Sequence, residues 1–309
     1  MSGNLVVVRC GRRSLHGAWL LRGARRRFDV WLAPYEEIPP SDEAPAFARA
    51  IPGPKWSGLA RILADEPSWR RYDRVWLPDD DVDADAATVE RLFDESEALS
   101  AAIAAPALTP DSQYSHVLTL ANGSFRRRAT TFVEIMAPCF RRDVLETLLP
   151  TLSASRSGHG WGLDDAWARL LRYEGLHVLD EVTVRHDRPV GSSRTRPERD
   201  ALRAEMRAIH RRFDARALRK SLSGTRPDGT VVPGSEPEFL ESYLLGYRAV
   251  AAKDPTIPRR LRRHQADNHR AWLDEAPSRA RRRAARPWWA PWRRRSTTKA
   301  HGGDACACS

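Results

Sequence analysis

Cysteine is scarce in this chain. Four occur in 309 residues, Cys10, Cys139, Cys306 and Cys308. None of the body's cysteines has a partner at zinc-finger spacing, and two in the body are too few for a disulfide framework, which excludes a small stapled scaffold and suits a reducing compartment. Lysine is scarcer still relative to arginine, with only Lys55, Lys220, Lys253 and Lys299 among 51 basic residues. That skew reads as a GC-rich coding sequence rather than selection for guanidinium chemistry. Long apolar runs are absent as well. The longest uncharged, mostly apolar stretch, residues 98–108, is interrupted by Pro106 and falls far short of the roughly 20 residues needed to span a bilayer. Leu5 to Val8, followed at once by Arg9, does not read as a signal peptide. The expected location is cytoplasmic, with peripheral attachment to the inner face of the membrane open.

The charge is uneven. The formal net charge is +11, and residues 257–299, with 14 basic and 3 acidic residues, account for all of it. The high isoelectric point therefore describes the C-terminal end and gives no sign that the main body binds nucleic acid.

What is present begins with a strand–helix rhythm. Leu5-Val6-Val7-Val8 is apolar on both faces, as in a strand buried within a parallel sheet. A helix follows near residues 15–21, then a strand at Phe28 to Leu32, a helix at 57–64 and a strand at Arg74 to Leu77. This alternation predicts an α/β domain. Further along, the pattern predicts a helix over 86–99, strands at 114–120 and 131–136, a helix from Arg142, a helix from Leu163 to Tyr173 and a last strand from Val178 ending at His186. Past Gly191 the character changes to helices near 201–218 and 239–252, joined by a Gly/Pro/Ser-rich connection. The predicted organisation is an α/β domain over 1–191, a helical extension over 192–275 and a disordered basic Trp/Arg-rich tail over 276–309.

The sharpest chemical feature is the strand Val75-Trp76-Leu77 running straight into Pro78-Asp79-Asp80-Asp81. Ligands in open α/β sheets bind beyond the carboxyl ends of strands. Packed carboxylates repel unless a cation relieves them, and hard divalent metals such as Mg2+ or Mn2+ take oxygen ligands and retain phosphates. Asp79 and Asp81 are therefore candidate metal ligands, with Asp80 beside them. The plain alternative is a solvated loop capping the next helix. Asp164 and Asp165 follow Trp161-Gly162 and open a helix, whose N-terminus favours ionised carboxylates, so either is a candidate general base. The plain reading of the same pair is an N-cap and a first-turn acid. Trp161 offers a ring on which a sugar can stack. His186, just past a strand, is a candidate third metal ligand or simply a structural histidine. Glu134, a lone charge in the predicted strand 132–136, either meets substrate hydroxyls or pairs with Arg126, Arg127 or Arg128. Lys55, at the entry to a helix, is placed to meet a diphosphate or is merely exposed.

Taken in order, Lys55-Trp56, Tyr72 to Leu77 with Asp79-Asp80-Asp81, Phe132 to Pro138, Trp161-Gly162-Leu163-Asp164, and His186 with Pro189 resemble the domain of unknown function 707 family. That family is related to glycosyltransferases of the GT-A fold. The resemblance spans about residues 4–191 and implies a Rossmann-type mixed sheet of the nucleotide-diphospho-sugar transferase kind. It implies a divalent metal held by Asp79, Asp81 and His186, a nucleotide-diphosphate sugar contacted by Lys55, Asp79 and Asp80, and Glu134 and Trp161 at the substrate. Asp81-Val82-Asp83 is a second, less favoured register. Residues 160–165 are also similar to the Trp-Gly-Gly-Glu-Asp segment of β-1,4-galactosyltransferases. The family resemblance puts the base at Asp164 and the galactosyltransferase one at Asp165, with Leu163 departing from the latter's glycine. The activity implied is metal-dependent, inverting sugar transfer to a glycan or lipid-linked acceptor.

Two other classes compete. One is a non-catalytic carbohydrate- or membrane-surface-binding protein on the same scaffold. The other is a haloacid dehalogenase-like phosphohydrolase, whose nucleophile strand Leu77 to Val82 imitates, although two strands precede the motif here. In the tail, Arg281-Arg282-Arg283, Trp288-Trp289 and Trp292 to Arg295 have the composition of interfacial membrane peptides, which makes an anionic membrane surface a candidate partner; the plain alternative is a disordered tail that touches nothing specific, and nucleic acid is the weaker partner because the basic run lacks a folded module.

Overall fold

The computed structural model describes residues 3–21, 26–38, 50–189 and 194–275. The segment 276–309, with its Trp/Arg clusters and Cys306 and Cys308, lies outside the described residues, as do residues 39–49. Cys10 and Cys139 are buried free thiols. No helix among the described residues is long and apolar enough to cross a membrane.

The chain runs β1 (Asn4–Cys10), α1 (Gly17–Leu21), β2 (Asp29–Pro34), α2 (Lys55–Asp65), β3 (Arg74–Trp76), β4 (Val82–Asp83), α3 (Ala86–Ala98), β5 (Ile103–Leu108), β6 (Arg127–Thr130), β7 (Cys139–Arg141), α4 (Arg142–Leu148), α5 (Leu163–Leu170), β8 (Leu176–His186), α6 (Arg196–Phe213), β9 (Ser221–Thr225), β10 (Val231–Pro233), α7 (Pro237–Gly246), α8 (Arg248–Lys253) and α9 (Ile257–Glu275). One mixed sheet carries the order β10-β9-β6-β8-β5-β7-β3-β1-β2. β1 is parallel to β2 and β3, and β5 is parallel to β8, while β7 enters antiparallel between β3 and β5. The architecture is thus the α/β mixed sheet expected.

β1 shows why the sheet must be covered on both sides. Val6 and Val8 join one core with Trp19, Phe93, Phe239 and Tyr243, while Leu5 and Val7 join another with Trp56, Leu63, Leu148 and Trp167. Successive side chains of a strand point to opposite faces, so four consecutive apolar residues require two apolar layers. Each contributes about 1.5–3 kcal/mol on burial. α2, α4 and α5 pack on the Leu5/Val7 face; α3, α7 and α8 pack on the other.

Several sequence-based expectations fail, each for a physical reason. Residues 131–136 form no strand, because their edge is taken by other contacts: Thr131 N donates to Lys220 O, and Lys55 Nζ donates to the carbonyls of Ile135 and Met136. The segment 114–120 holds only a short 3-10 turn at Val117–Thr119. Conversely, the Ala-rich run at 103–108 is a central strand, and the Gly/Pro/Ser-rich connection contains β9 and β10. β9 pairs with β6, so the region past residue 192 is not a purely helical extension but continues the same sheet. Its first helix, α6, starts on a capping box in which Thr195 and Glu198 satisfy each other's backbone N–H groups.

Candidate functional site

β3 ends at Trp76, and the chain then turns through Asp79, Asp80 and Asp81 before the short β4. The turn is pinned on several sides. Leu77 N donates to Pro138 O, Asp79 N to Met136 O, Leu15 N to Asp80 O, and Asp187 N to Asp81 O. β4 pairs antiparallel with the end of β8, setting Val82 opposite His186. This pairing brings two segments 100 residues apart into one cluster, in which one ligand atom each of Asp79, Asp81 and His186 lies within 4.8 Å of the others. The helix-capping alternative is met by a different residue, since Asp85 caps α3 by accepting from Thr88 N at 2.8 Å.

The orientation of His186 is decided by its far nitrogen. Nδ1 lies 2.8 Å from the Gln113 carbonyl, which only accepts, so hydrogen-bond assignment places a hydrogen on Nδ1. Nε2 then faces Asp81 Oδ2 at 3.2 Å. A bare nitrogen lone pair against a carboxylate oxygen is repulsive, so a proton or a metal cation belongs between them. Burial opposes a charged imidazole, but the Asp81 carboxylate outweighs it and lifts His186 above its usual value. Burial likewise pushes Asp81 up, but its hydrogen bond to His186, together with the charge of Arg188, outweighs this and holds Asp81 below the usual carboxylate range. Two carboxylate oxygens and an imidazole whose other nitrogen is anchored by a carbonyl are a chemically suitable donor set for Mn2+ or Mg2+.

The neighbouring charges are committed. Asp80 accepts from Tyr35 Oη at 2.8 Å and faces Arg188 at 3.3 Å, and burial nonetheless raises its pKa. Lys55 Nζ is 2.7 Å from Asp79 Oδ1 and donates to Ile135 O and Met136 O at 2.8 and 2.7 Å. Its three hydrogens are therefore used within the protein, and it braces Asp79 rather than standing free. Burial lowers its pKa. Asp83, the outer member of the second register, pairs with Arg185.

Across the cavity, the chain approaches α5 through three glycines at positive φ, Gly158, Gly160 and Gly162. Gly160 is required twice over: its φ is +81°, and a Cβ there would fall 2.2 Å from Trp56 Cδ1. The tight loop buries Asp164 and Asp165 at the first turn of α5. They do not behave alike, contrary to the expectation that a helix N-terminus ionises both. Burial, with the Asp165 charge beside it, pushes Asp164 up to about 8. Burial also pushes Asp165 up, but the Arg219 guanidinium outweighs it, with a further bond from His210, and holds it below the usual range. His210 Nε2 lies 2.9 Å from Asp165 Oδ2, and Arg219 bonds both carboxylate oxygens.

Lys55, Asp79, Asp80, Asp81, His186 and Arg188 line one cavity of about 720 Å³ with Asp164, Asp165 and Arg219, together with Trp161 and Glu134, whereas Asp83 and His210 do not. Glu134 is not paired with the arginines proposed for it, because Arg126 and Arg127 meet Glu95 and Arg128 meets Asp180. Its Oε2 is buried without a hydrogen-bond partner, and burial raises its carboxyl to about 7. Sequence reasoning missed Arg188, Arg219 and His210. Arg188 stood two residues past His186 and was findable by proximity; Arg219 and His210 carried no signal in so arginine-rich a chain.

No family model matches the chain, and no curated protein matches it. Among solved structures it is similar to S. aureus TarS 1–349, at 11% identity and a TM-score of 0.41, over 88% of this chain and 90% of that one. It is also similar to the same fragment in complex with UDP-GlcNAc, at 10% identity and a TM-score of 0.42, over 91% and 83% of the two chains. A third match is to a longer S. aureus TarS structure, at 11% identity and a TM-score of 0.42, over 88% and 55%. Likeness at this level says nothing of what the cavity binds.

Proposed function

We propose that this protein is a metal-dependent glycosyltransferase of GT-A type that takes its sugar from a nucleotide-diphosphate donor. The observation that carries the reading is the Asp79, Asp81 and His186 cluster, with Nε2 of His186 turned into it, in the same cavity as the buried pair Asp164 and Asp165. Asp79, Asp81 and His186 would hold a divalent metal, which when bound would supply positive charge against a leaving diphosphate. Lys55 keeps Asp79 in place, and Tyr35 with Arg188 keeps Asp80 out of the ligand set. Trp161 presents a ring in the cavity wall where a sugar stacks. Asp164, in the same cavity, receives a proton from an acceptor hydroxyl. Burial and the Asp165 charge raise its pKa, which makes it a stronger base than an ordinary aspartate once ionised. The glycan or lipid-linked nature of the acceptor follows from the family resemblance and not from the cavity.

The test is a thermal-shift screen of the full chain against UDP, GDP, CMP and dTDP and their sugars, with and without Mn2+. A site filled to 100 times its Kd stabilises by about 2.7 kcal/mol. The expected result is a rise in Tm that needs both one nucleotide and the metal, and that disappears in Asp81→Ala while the circular dichroism spectrum is unchanged. A metal-dependent rise retained in Asp81→Ala, or no rise with any nucleotide, refutes the reading.

A further inference from the structure

The acidic pair at the start of α5 is served by residues from the far end of the chain. Arg219, just before β9, bonds both oxygens of Asp165, and His210, in the last turn of α6, takes a second position on Oδ2. The guanidinium carbon stands over Phe132, 3.5 Å from the ring centroid, which holds the group on that face. Its backbone carbonyl accepts from Asn268 of α9 at 3.4 Å. Asp165 is only 2% exposed at its side chain, so nothing from solvent competes for those oxygens. Asp164 lines the same cavity, has no ion pair among the described residues, and accepts one backbone hydrogen bond, from Asp165 N at 2.9 Å.

We propose that Arg219 and His210 are positioning residues for the acidic pair: by occupying both oxygens of Asp165 they withdraw it from proton transfer and leave Asp164 alone as the proton acceptor. The inference rests on the glycosyl-transfer reading above. In the step it describes, the acceptor oxygen bonds to the anomeric carbon of the donor sugar and the bond from that carbon to the diphosphate oxygen breaks. The electron pair leaves with the nucleoside diphosphate, and the acceptor proton passes to Asp164. Asp165 stays an anion throughout, and its fixed charge strengthens the base next to it.

The charged and titratable groups facing Asp164 are Asp165 on its own helix, Arg219 before β9, and Glu134 in the loop after β6. His210 and His116 stand behind Asp165 and Arg219, and burial with Arg219 pulls His116 down to about 3, so it is neutral. Removing the Asp165 charge therefore lowers the pH at which Asp164 ionises. Removing Arg219 frees Asp165 to move and to accept protons itself.

Two measurements on the full chain test this. The first is isotope-edited infrared titration of carboxyl groups in wild type, Asp164→Asn, Asp165→Asn and Arg219→Met. Expected is a protonated-carboxyl band titrating near 8 in wild type, missing in Asp164→Asn and shifted to lower pH by a unit or more in Asp165→Asn. An unshifted band in Asp165→Asn overturns the proposal, whether or not the protein is an enzyme. The second is the pH profile of Mn2+-dependent sugar release from the nucleotide sugar that the thermal screen selects, with water as acceptor. Expected for Arg219→Met is a fall in kcat of about tenfold or more with donor KM within about twofold, partly rescued by Arg219→Lys. Expected for Asp165→Asn is an acid limb moved to lower pH. Should Arg219→Met fold poorly, Arg219→Met/Asp165→Asn removes the stranded charge and keeps the titration readable. Equal kcat in wild type and Arg219→Met overturns the proposal, as does an Asp165→Asn variant that is inactive at every pH like Asp164→Asn. If no nucleotide sugar binds, the glycosyl-transfer reading fails, and the infrared titration still decides how the pair divides its charge.

Discussion

Arg128 sits wholly inside the protein, and removing its charge should be strongly destabilising. Its Nε and Nη2 bond Asp180, Nη1 donates to Tyr247 Oη at 2.7 Å, and Nη2 also reaches Leu120 O at 2.9 Å. Both side chains of the ion pair are at 0% exposure. Asp180 in turn accepts from Asn122 N at 2.9 Å. The pair falls where β8 leaves register with β5: Pro106 pairs with Leu179 and Ala107 with Thr183, so residues 180–182 bulge out. Pro106 has no N–H to offer, and the Arg128 guanidinium holds the bulge instead. Past the bulge, β8 carries His186 to Asp79 and Asp81.

Arg128→Met keeps the length of the side chain and strands a buried carboxylate. Removing one member of a buried pair costs about 3–5 kcal/mol, whereas replacing both with apolar residues of similar volume is close to neutral. The expected result in urea unfolding, followed by tryptophan fluorescence, is therefore a loss of about 3–5 kcal/mol in Arg128→Met. In Arg128→Met/Asp180→Leu most of that loss is recovered. Since the bulge steers His186, apparent Mn2+ affinity should fall in the single variant as well. An Arg128→Met protein within about 1 kcal/mol of wild type would show that Asp180 finds other partners and that the bulge is held by the backbone alone.

Two further outcomes follow from the site. Gly160→Ala places a methyl group against Trp56 at a left-handed backbone position, so it should lower Tm and perturb nucleotide-dependent stabilisation, while Gly229→Ala, also at positive φ but with open space around it, should cost only the backbone strain. Asp164 and Glu134, raised to about 8 and about 7, bind protons in the folded chain that the unfolded chain has released, so their contribution to stability is full below about pH 4 and is lost as pH rises to 7–8. Asp164→Asn and Glu134→Gln should each flatten the fall of Tm between pH 5 and 8; an unchanged slope in both variants would mean that these carboxyls are ionised throughout.

The sequence was most legible where one physical signal acted alone. The run Leu5 to Val8 could only be a strand with both faces buried, and a strand ending in three aspartates could only present them at one edge of a sheet. β5 was hidden because alanines and Pro106 lack the β-branched signature of a strand, although their small size is what lets its neighbours pack closely. Residues 131–136 have the apolar, β-branched composition of a strand yet make a loop, since the carbonyls of Ile135 and Met136 are claimed by Lys55. That Asp79, Asp81 and His186 come together was legible in the sequence, but the commitment of Lys55 to Asp79 was not. The split in the acidic pair was illegible, for it depends on Arg219 and His210 folding back from a region that looked like a separate helical unit.

That fold-back makes the expected boundary near residue 192 a poor place to divide the protein. β9 covers the edge of β6 through pairs from Arg127 to Thr225 and from Thr130 to Ser221, so a chain cut there leaves β6 as an open edge with unpaired N–H and C=O groups. The cut also strips Tyr247 from Arg128, and Phe239 and Tyr243 from the core that holds Val6 and Val8. Phe125 and Phe239 stack at 5.4 Å, so the loss exposes aromatic surface on both sides of the missing contact. Fragment 1–191 should therefore aggregate or bind a hydrophobic dye, with no cooperative unfolding transition, whereas 1–275 should unfold in one transition. A fragment 1–191 that melts cooperatively and still binds Mn2+ with nucleotide would mean that the N-terminal sheet is complete by itself and that β9, Arg219 and the helices after them are additions to a finished site.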